Sequence, residues 1–143
     1  MKIVLTFFLT LFAVTTVFSL ISLFYFGAYW FGGFEYRLAF IIAMGFFAVN
    51  TVVNCAVCGV LTVTRLIRQL SQLTLKLMLF ISILLLVNSV GTALTLVIKT
   101  GGNWAWPDDG LVAVVSASVL SAILYVVAIY RMYSVLVSRQ PAA

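Results

Sequence analysis

The sequence predicts an all-α membrane protein whose four transmembrane helices form an antiparallel bundle. Of its 143 residues, 65% are hydrophobic and 8% are charged, whereas a soluble domain carries about 25% charged residues. Four apolar segments are each long enough to cross a hydrocarbon core about 30 Å thick, and a backbone in lipid must satisfy its own hydrogen bonds as a helix. The connections between them are short, which places consecutive helices side by side and antiparallel.

The predicted helices all belong to one transmembrane domain that covers residues 1–143. Their approximate bounds are 3–25, 38–64, 77–98 and 111–133. The first begins "MKIVLTFFLTLF", which has the basic-then-apolar profile of a secretory signal. Its apolar run continues to about Trp30, which is too long for the apolar region of such a signal. We therefore interpret it as a signal-anchor helix.

The charged residues predict the orientation of the bundle. Six of the eight positive residues flank the spans on one side, namely Lys2, Arg65, Arg68, Lys76, Arg131 and Arg139. The other side has Arg37 and Lys99 together with all three acids, Glu35, Asp108 and Asp109. The positive-inside rule then predicts that the N and C termini are both cytoplasmic, in the plasma membrane or an organelle membrane. The net charge of +5 follows from this bias rather than from a basic groove, so nucleic acid is not an expected partner.

Between the second and third helices, leucines recur at helical spacing among basic and amide residues in "RLIRQLSQLTLK". This segment is either a docking surface for a partner or anionic lipid, or an ordinary positive-inside turn. We favour the turn, because a basic bias is expected in any such connection.

The outer connections are rich in aromatic and acidic residues. Tryptophan is typical of the interface between membrane and water. Pro107, Asp108 and Asp109 suit the start of the fourth helix, where carboxylates accept hydrogen bonds from free amides. We therefore predict outer-loop aromatic and acidic contacts from Trp30, Trp104, Trp106, Asp108 and Asp109.

Inside the predicted spans the polar residues are uncharged. Ion and proton pathways usually need a charged residue near the middle of a span, so a proton-coupled pump or a voltage sensor is not predicted. Hydroxyl and amide side chains instead recur at a similar depth. We predict an interhelical polar layer made of Thr15, Asn50, Asn54, Asn88 and Ser121. The second helix is expected to meet the third through Asn88, and a polar ligand pocket is the alternative interpretation.

The only two cysteines, Cys55 and Cys58, form a C-x-x-C pair in "NTVVNCAVCG". This element resembles the one in quinone-linked disulfide-forming enzymes and vitamin K epoxide reductases, and the resemblance implies thiol oxidoreductase activity. The relay in those families uses a second cysteine pair, which is absent here. Both thiols lie well inside the second helix, where apolar surroundings make a thiol unreactive. We therefore predict that they are small buried residues of the face that meets the other helices.

Catalytic and metal chemistry is not predicted. The chain has no histidine for acid–base work, and its acids are confined to the outer connections. Two thiols do not supply the four ligands of a structural zinc site. We therefore predict that the protein is not an enzyme and binds no metal or cofactor.

The short outer loops and the segment "LYVVAIYRMYSVL" of the fourth helix resemble small eukaryotic four-helix tetraspan membrane proteins, of the lysosome-associated or insect junction kind. Little of the chain lies outside the spans, which leaves contacts with the lipid bilayer and partner helices as its main role. We expect a multi-pass accessory or scaffold subunit that binds other membrane protein subunits or forms a homo-oligomer. The alternatives are a membrane thiol oxidoreductase that uses Cys55 and Cys58, and a small oligomeric channel.

Overall fold

The computed structural model describes residues 2–30, 37–67, 70–99 and 109–138, with side chains in 2–24, 44–66, 70–98, 112 and 114–138. The described residues form four α-helices. They are α1 (Lys2–Trp30), α2 (Arg37–Ile67), α3 (Gln72–Lys99) and α4 (Asp109–Ser138). The prediction of an all-α chain with four long helices is confirmed.

Each helix contains a segment long and apolar enough to cross a membrane. These segments are Lys2–Phe24, Met44–Leu66, Gln72–Ile98 and Val114–Ser138. At a rise of 1.5 Å per residue, about 20 residues are enough to cross the hydrocarbon core. The helices are therefore those expected of an integral, multi-pass membrane protein.

The four helices pack as a ring. In the described part of the chain, α1 contacts α2 and α4, and α3 contacts the same two helices. The contact between α2 and α3 is the least extensive of the four. Helices α1 and α4 run antiparallel, because Phe12 lies beside Tyr125 while Phe7 lies beside Arg131. The start of α1 and the end of α4 are consequently at one end of the bundle, which we call the basic end.

The core is divided between the two ends of the bundle. The larger cluster is on the side of the basic end and includes Phe8, Phe12, Leu61, Leu75 and Met132. A smaller cluster consists of Phe47, Leu96, Val114 and Val115. Large aliphatic side chains are also exposed on the outside of every helix. Helices that are apolar all round are typical of surroundings that are themselves apolar.

The helix bounds differ from the predicted ones by five residues at three ends and by less at the others. Helix α1 continues to Trp30 and α4 continues to Ser138, whereas the predicted ends were near 25 and 133. Helix α3 begins at Gln72 rather than near Leu77. Its start is explained by Ser71, whose Oγ accepts a hydrogen bond from the Thr74 amide at 3.0 Å. The prediction followed apolarity alone and therefore left out this capped, polar first turn.

Removal of this cap tests its contribution to stability. Ser71→Ala leaves the Thr74 amide without its side-chain acceptor, and a lost N-cap costs about 1 kcal/mol. We expect a lower free energy of unfolding in detergent and faster hydrogen exchange in the first turn of α3. The control is Ser134→Ala, whose hydroxyl donates only to the Arg131 carbonyl of its own helix. Equal stability of the two variants would contradict the capping role.

Candidate functional site

Two buried asparagines on α2 form the centre of the polar interior. Asn50 and Asn54 are 1% and 0% exposed, and they are one helical turn apart on the inward face. A buried amide is costly unless its donors and acceptor are hydrogen-bonded. Because the backbone groups within a helix are bonded to one another, these amides take partners from other helices.

Asn50 joins α2 to α3. Its Oδ1 accepts a hydrogen bond from Asn88 Nδ2 at 2.6 Å, and its Nδ2 donates to Ser89 Oγ at 3.3 Å. Asn88 Nδ2 also donates to the carbonyl of Phe46, one turn earlier on α2, at 3.2 Å. Three hydrogen bonds therefore hold the two helices in register at this level.

Asn54 joins α2 to α4, its diagonal neighbour. The Tyr125 hydroxyl lies 2.7 Å from Asn54 Nδ2, from which it accepts, and 3.0 Å from Oδ1, to which it donates. Tyr125 is fully buried, and its ring centroid is 6.2 Å from that of Phe12 on α1. Thr15 of α1 lies beside the Tyr125 side chain. Three helices consequently meet around this tyrosine.

Most other hydroxyls in the spans are satisfied within their own helices. Thr15 donates to the Phe12 carbonyl at 2.9 Å, and Ser82, Thr92 and Ser118 each donate to the carbonyl four residues earlier. In the part of the chain that the structure describes, every buried side-chain nitrogen and oxygen has a hydrogen-bond partner. The interior described here is thus a set of paired polar groups, which avoids the cost of an unpaired one.

The five residues of the predicted polar layer lie at two levels, one turn apart. Asn50 and Asn88 are in direct contact, whereas Asn54 and Thr15 lie one turn nearer the basic end, beside Tyr125. Ser121 is buried on α4, one turn before Tyr125. The prediction placed Thr15, Asn50, Asn88 and Ser121 at one depth because it counted from approximate helix ends, and the structure places Thr15 one turn away, at the level of Asn54.

Two residues that hydrogen-bond to the buried asparagines were missing from the predicted layer. Ser89 directly follows Asn88, and Tyr125 lies four residues after Ser121 on the polar face of α4. These positions, next to one predicted residue and one helical turn from another, were the sequence signals available for Ser89 and Tyr125. Tyrosine is usually an interfacial residue in membrane proteins, so residue type gave no reason to place Tyr125 in the core.

The structure corrects the predicted position of the cysteines. Both are free thiols in α2, but Cys55 is exposed, whereas Cys58 is partly buried beside Thr16 of α1. Cys55 directly follows the inward-facing Asn54, and one residue rotates the side chain by about 100° around the helix. It therefore points away from the bundle. Among the described residues, no group of three or more His, Cys, Asp or Glu side chains could hold a metal ion.

The predicted outer-loop contacts lie outside the described residues. This holds for Trp104, Trp106 and Asp108. Trp30 ends α1 and Asp109 begins α4, but their side chains are not among those described. These contacts stay a prediction.

Comparisons with known proteins found no matching family model, no matching curated protein and no matching solved structure. The resemblance of α4 and the outer loops to small tetraspan proteins therefore stays a prediction. The role of the chain has to be inferred from its own residues.

The hydrogen bond between Asn54 and Tyr125 can be tested by removing one hydroxyl. Tyr125→Phe leaves the Asn54 amide unpaired, and such bonds contribute about 0.6 kcal/mol on average and up to about 1.7 kcal/mol in membrane proteins. We expect a loss of stability in this range, measured by unfolding in detergent. Tyr130→Phe is the matched control, because Tyr130 is 70% exposed on the same helix.

A double-mutant cycle tests whether Asn54 and Tyr125 are coupled. The double variant Asn54→Leu with Tyr125→Phe leaves neither group unpaired, so its loss should be smaller than the sum of the two single losses. Additive losses would show that the two side chains are not coupled.

The contact between Asn50 and Asn88 is tested in the same way. Asn88→Leu removes the donor to Asn50 Oδ1 and to the Phe46 carbonyl, so it should lower the melting temperature in detergent without preventing membrane insertion. Thr95→Val is the control, because the Thr95 hydroxyl donates only to the Gly91 carbonyl of its own helix. An unchanged or higher melting temperature for Asn88→Leu would refute the role of this contact.

Proposed function

We propose that this protein is a non-catalytic accessory or scaffold subunit of a larger membrane assembly. The observation that carries the proposal is that the buried polar atoms of the described residues are all paired. A site for a polar substrate needs a few convergent polar groups that are available to it. Here the buried amides and the Tyr125 hydroxyl join helices instead, which favours a structural role.

The exposed residues on the outward surface of α2 support the proposal that a helix of another protein packs there. Ala48, Cys55, Gly59 and Thr62 are all exposed, and they recur at intervals of seven, four and three residues. We call these four residues the small-residue stripe. Intervals of this kind follow the seam of two packed helices, and small side chains let two helices in a membrane approach closely.

Gly59 is the most informative member of this stripe. Glycine in the middle of a helix costs about 1 kcal/mol relative to alanine. A Cβ atom at Gly59 would have nothing within 4 Å of it, so packing against the described residues gives no reason for a glycine. Close approach of a helix from another membrane protein would give one. An added Cβ at Gly91 of α3 also has nothing within 4 Å, but its exposed neighbours one turn away, Val87 and Leu94, are large and keep a second helix at a distance.

The orientation that we propose has both termini in the cytoplasm. The start of α1 and the end of α4 lie at the basic end of the bundle, as the contact between Phe7 and Arg131 indicates. Arg131 and Lys2 belong to that end. Of the three acids, Glu35 and Asp108 precede α2 and α4 in the sequence, and Asp109 begins α4 at the other end of the bundle. The positive-inside rule assigns such an end to the cytoplasm of a plasma or organelle membrane.

The partner helix is tested with Gly59→Leu in the full chain, purified in mild detergent from its native membrane. We expect wild-type protein in a complex with another membrane protein and at least a tenfold loss of that partner from the variant. The matched control is Gly91→Leu on α3, where an added Cβ likewise meets nothing within 4 Å. This control should keep the partner.

Mass determination of the purified complex decides between the competing roles. A partner that is retained equally by both glycine variants would place the interface elsewhere than the small-residue stripe. A chain that is monomeric in its native membrane extract would contradict the accessory role. A homo-oligomer without another subunit would favour the channel alternative.

A further inference from the structure

Arg131 is a charged residue within the apolar span of α4. The sequence pattern predicted that it flanks this span, but the span runs from Val114 to Ser138 and continues seven residues, about 10 Å, past Arg131. The Arg131 side chain is exposed on the outside of the bundle. Its surroundings are therefore those of the membrane rather than those of the protein core.

The apolar outer surface continues on both sides of Arg131. Val127 is exposed one turn away toward the other end of the bundle. Toward the basic end, Val137 of α4 is exposed, and so is Ile3 of α1, four residues before Phe7. The 25-residue span is about 7 Å longer than a hydrocarbon core of about 30 Å, so Arg131 lies about 3–10 Å inside the hydrocarbon boundary.

The Arg131 guanidinium is held against an aromatic ring of α1. Its central carbon, Cζ, lies 5.9 Å from the centroid of the Phe7 ring. Such a contact contributes about 0.5–2 kcal/mol and takes up one face of the planar group. The five N–H donors are on the edge of that plane. Among the described residues they have neither a hydrogen-bond acceptor nor a carboxylate partner.

No acid of this chain reaches the Arg131 guanidinium. The three acids are Glu35, Asp108 and Asp109. Asp109 begins α4 and is twenty-two residues, about 33 Å, from Arg131 along the helix. Glu35 is five residues after Trp30, and five residues span at most about 18 Å, whereas Trp30 is about 34 Å from Phe7 along α1. The anion that pairs with Arg131 must therefore come from outside the chain.

A cation in apolar surroundings is costly unless an anion pairs with it. The phosphate of a lipid and a carboxylate of another membrane protein are the two anions available there. The other cations of the basic end favour the lipid. Lys2 on α1, Arg65 on α2 and Lys76 on α3 are also exposed, so each of the four helices presents a cation at this end. A partner helix about 10–12 Å across touches one side of a bundle, whereas lipid headgroups surround it.

We propose that Arg131, held against Phe7, binds the phosphate of an anionic phospholipid in the leaflet at the basic end. A guanidinium donates two parallel hydrogen bonds to a phosphate. Local thinning of the bilayer brings the phosphate to an arginine at this depth. An anionic headgroup also has no ammonium group to oppose the neighbouring cations, each of which attracts anionic lipid by about 1 kcal/mol near the membrane surface.

This lipid site is independent of the partner helix proposed above. Arg131 is on α4, whereas the small-residue stripe is on α2. Gly59→Leu should therefore keep the lipid, and Arg131→Gln should keep the partner. The two proposals can fail separately.

The experiment measures how the full chain in mild detergent binds phosphatidylglycerol and phosphatidylcholine, by titration with native mass spectrometry. We expect wild type to prefer phosphatidylglycerol, and Arg131→Gln to bind it at least tenfold more weakly. The matched control is Lys76→Gln, which removes an equal charge from the same end on α3, away from α1. This control should lose less than twofold. Arg131→Lys keeps the charge without the planar fork and is the second variant if Arg131→Gln does not fold.

Several outcomes would overturn the proposal. Equal weakening in Arg131→Gln and Lys76→Gln would show that general positive charge holds the lipid. A wild type without preference for phosphatidylglycerol would remove the anionic ligand, and displacement of the lipid by an excess of inorganic phosphate would make the free anion the ligand. Loss of a membrane protein from Arg131→Gln alone would identify a carboxylate as the ion-pair partner.

Discussion

The two buried asparagines of α2 make the side-chain hydrogen bonds that join this helix to α3 and α4. Apolar helices gain little by leaving lipid for one another, so packing and polar contacts decide how they associate. Asn50 holds α3 through Asn88, and Asn54 holds α4 through Tyr125. Thr15 of α1 lies beside the same tyrosine. The loss of Asn50 therefore affects the packing of α3, and the loss of Asn54 affects the packing of α4.

An apolar groove of about 470 Å³ between α2 and α3 is a consequence of where these contacts lie. The bonds from Asn88 hold α2 and α3 together at one level, and the short connection holds them together at the basic end. Between the two, the side chains of α2 that line the groove are valines and an alanine. Helix α2 thus has three different faces: a polar one toward the core, an apolar one toward the groove, and the small-residue stripe.

The tyrosines of α4 illustrate how position decides the role of a residue type. Tyr125 is fully buried and bonded to Asn54, whereas Tyr130 and Tyr133 are 70% and 60% exposed. A buried hydroxyl without a hydrogen-bond partner would be costly. Tyr125 extends diagonally across the bundle, and Asn54 of α2 is its partner there. The exposed pair has no such requirement, and tyrosine outside the core of a membrane protein is common.

The sequence by itself determined the number and approximate place of the helices, because apolarity over about 20 residues is a local property. It also placed Asn50 and Asn54 on one face, since four residues make one turn. Only the tertiary structure decided that Tyr125 bonds to Asn54, that Cys55 points outward and that a groove lies between α2 and α3. Each of these depends on the rotation and depth of several helices at once. Because the helices are largely apolar on both their inner and outer sides, the few polar residues indicate which face of a helix is inward but not which residue of another helix each of them meets.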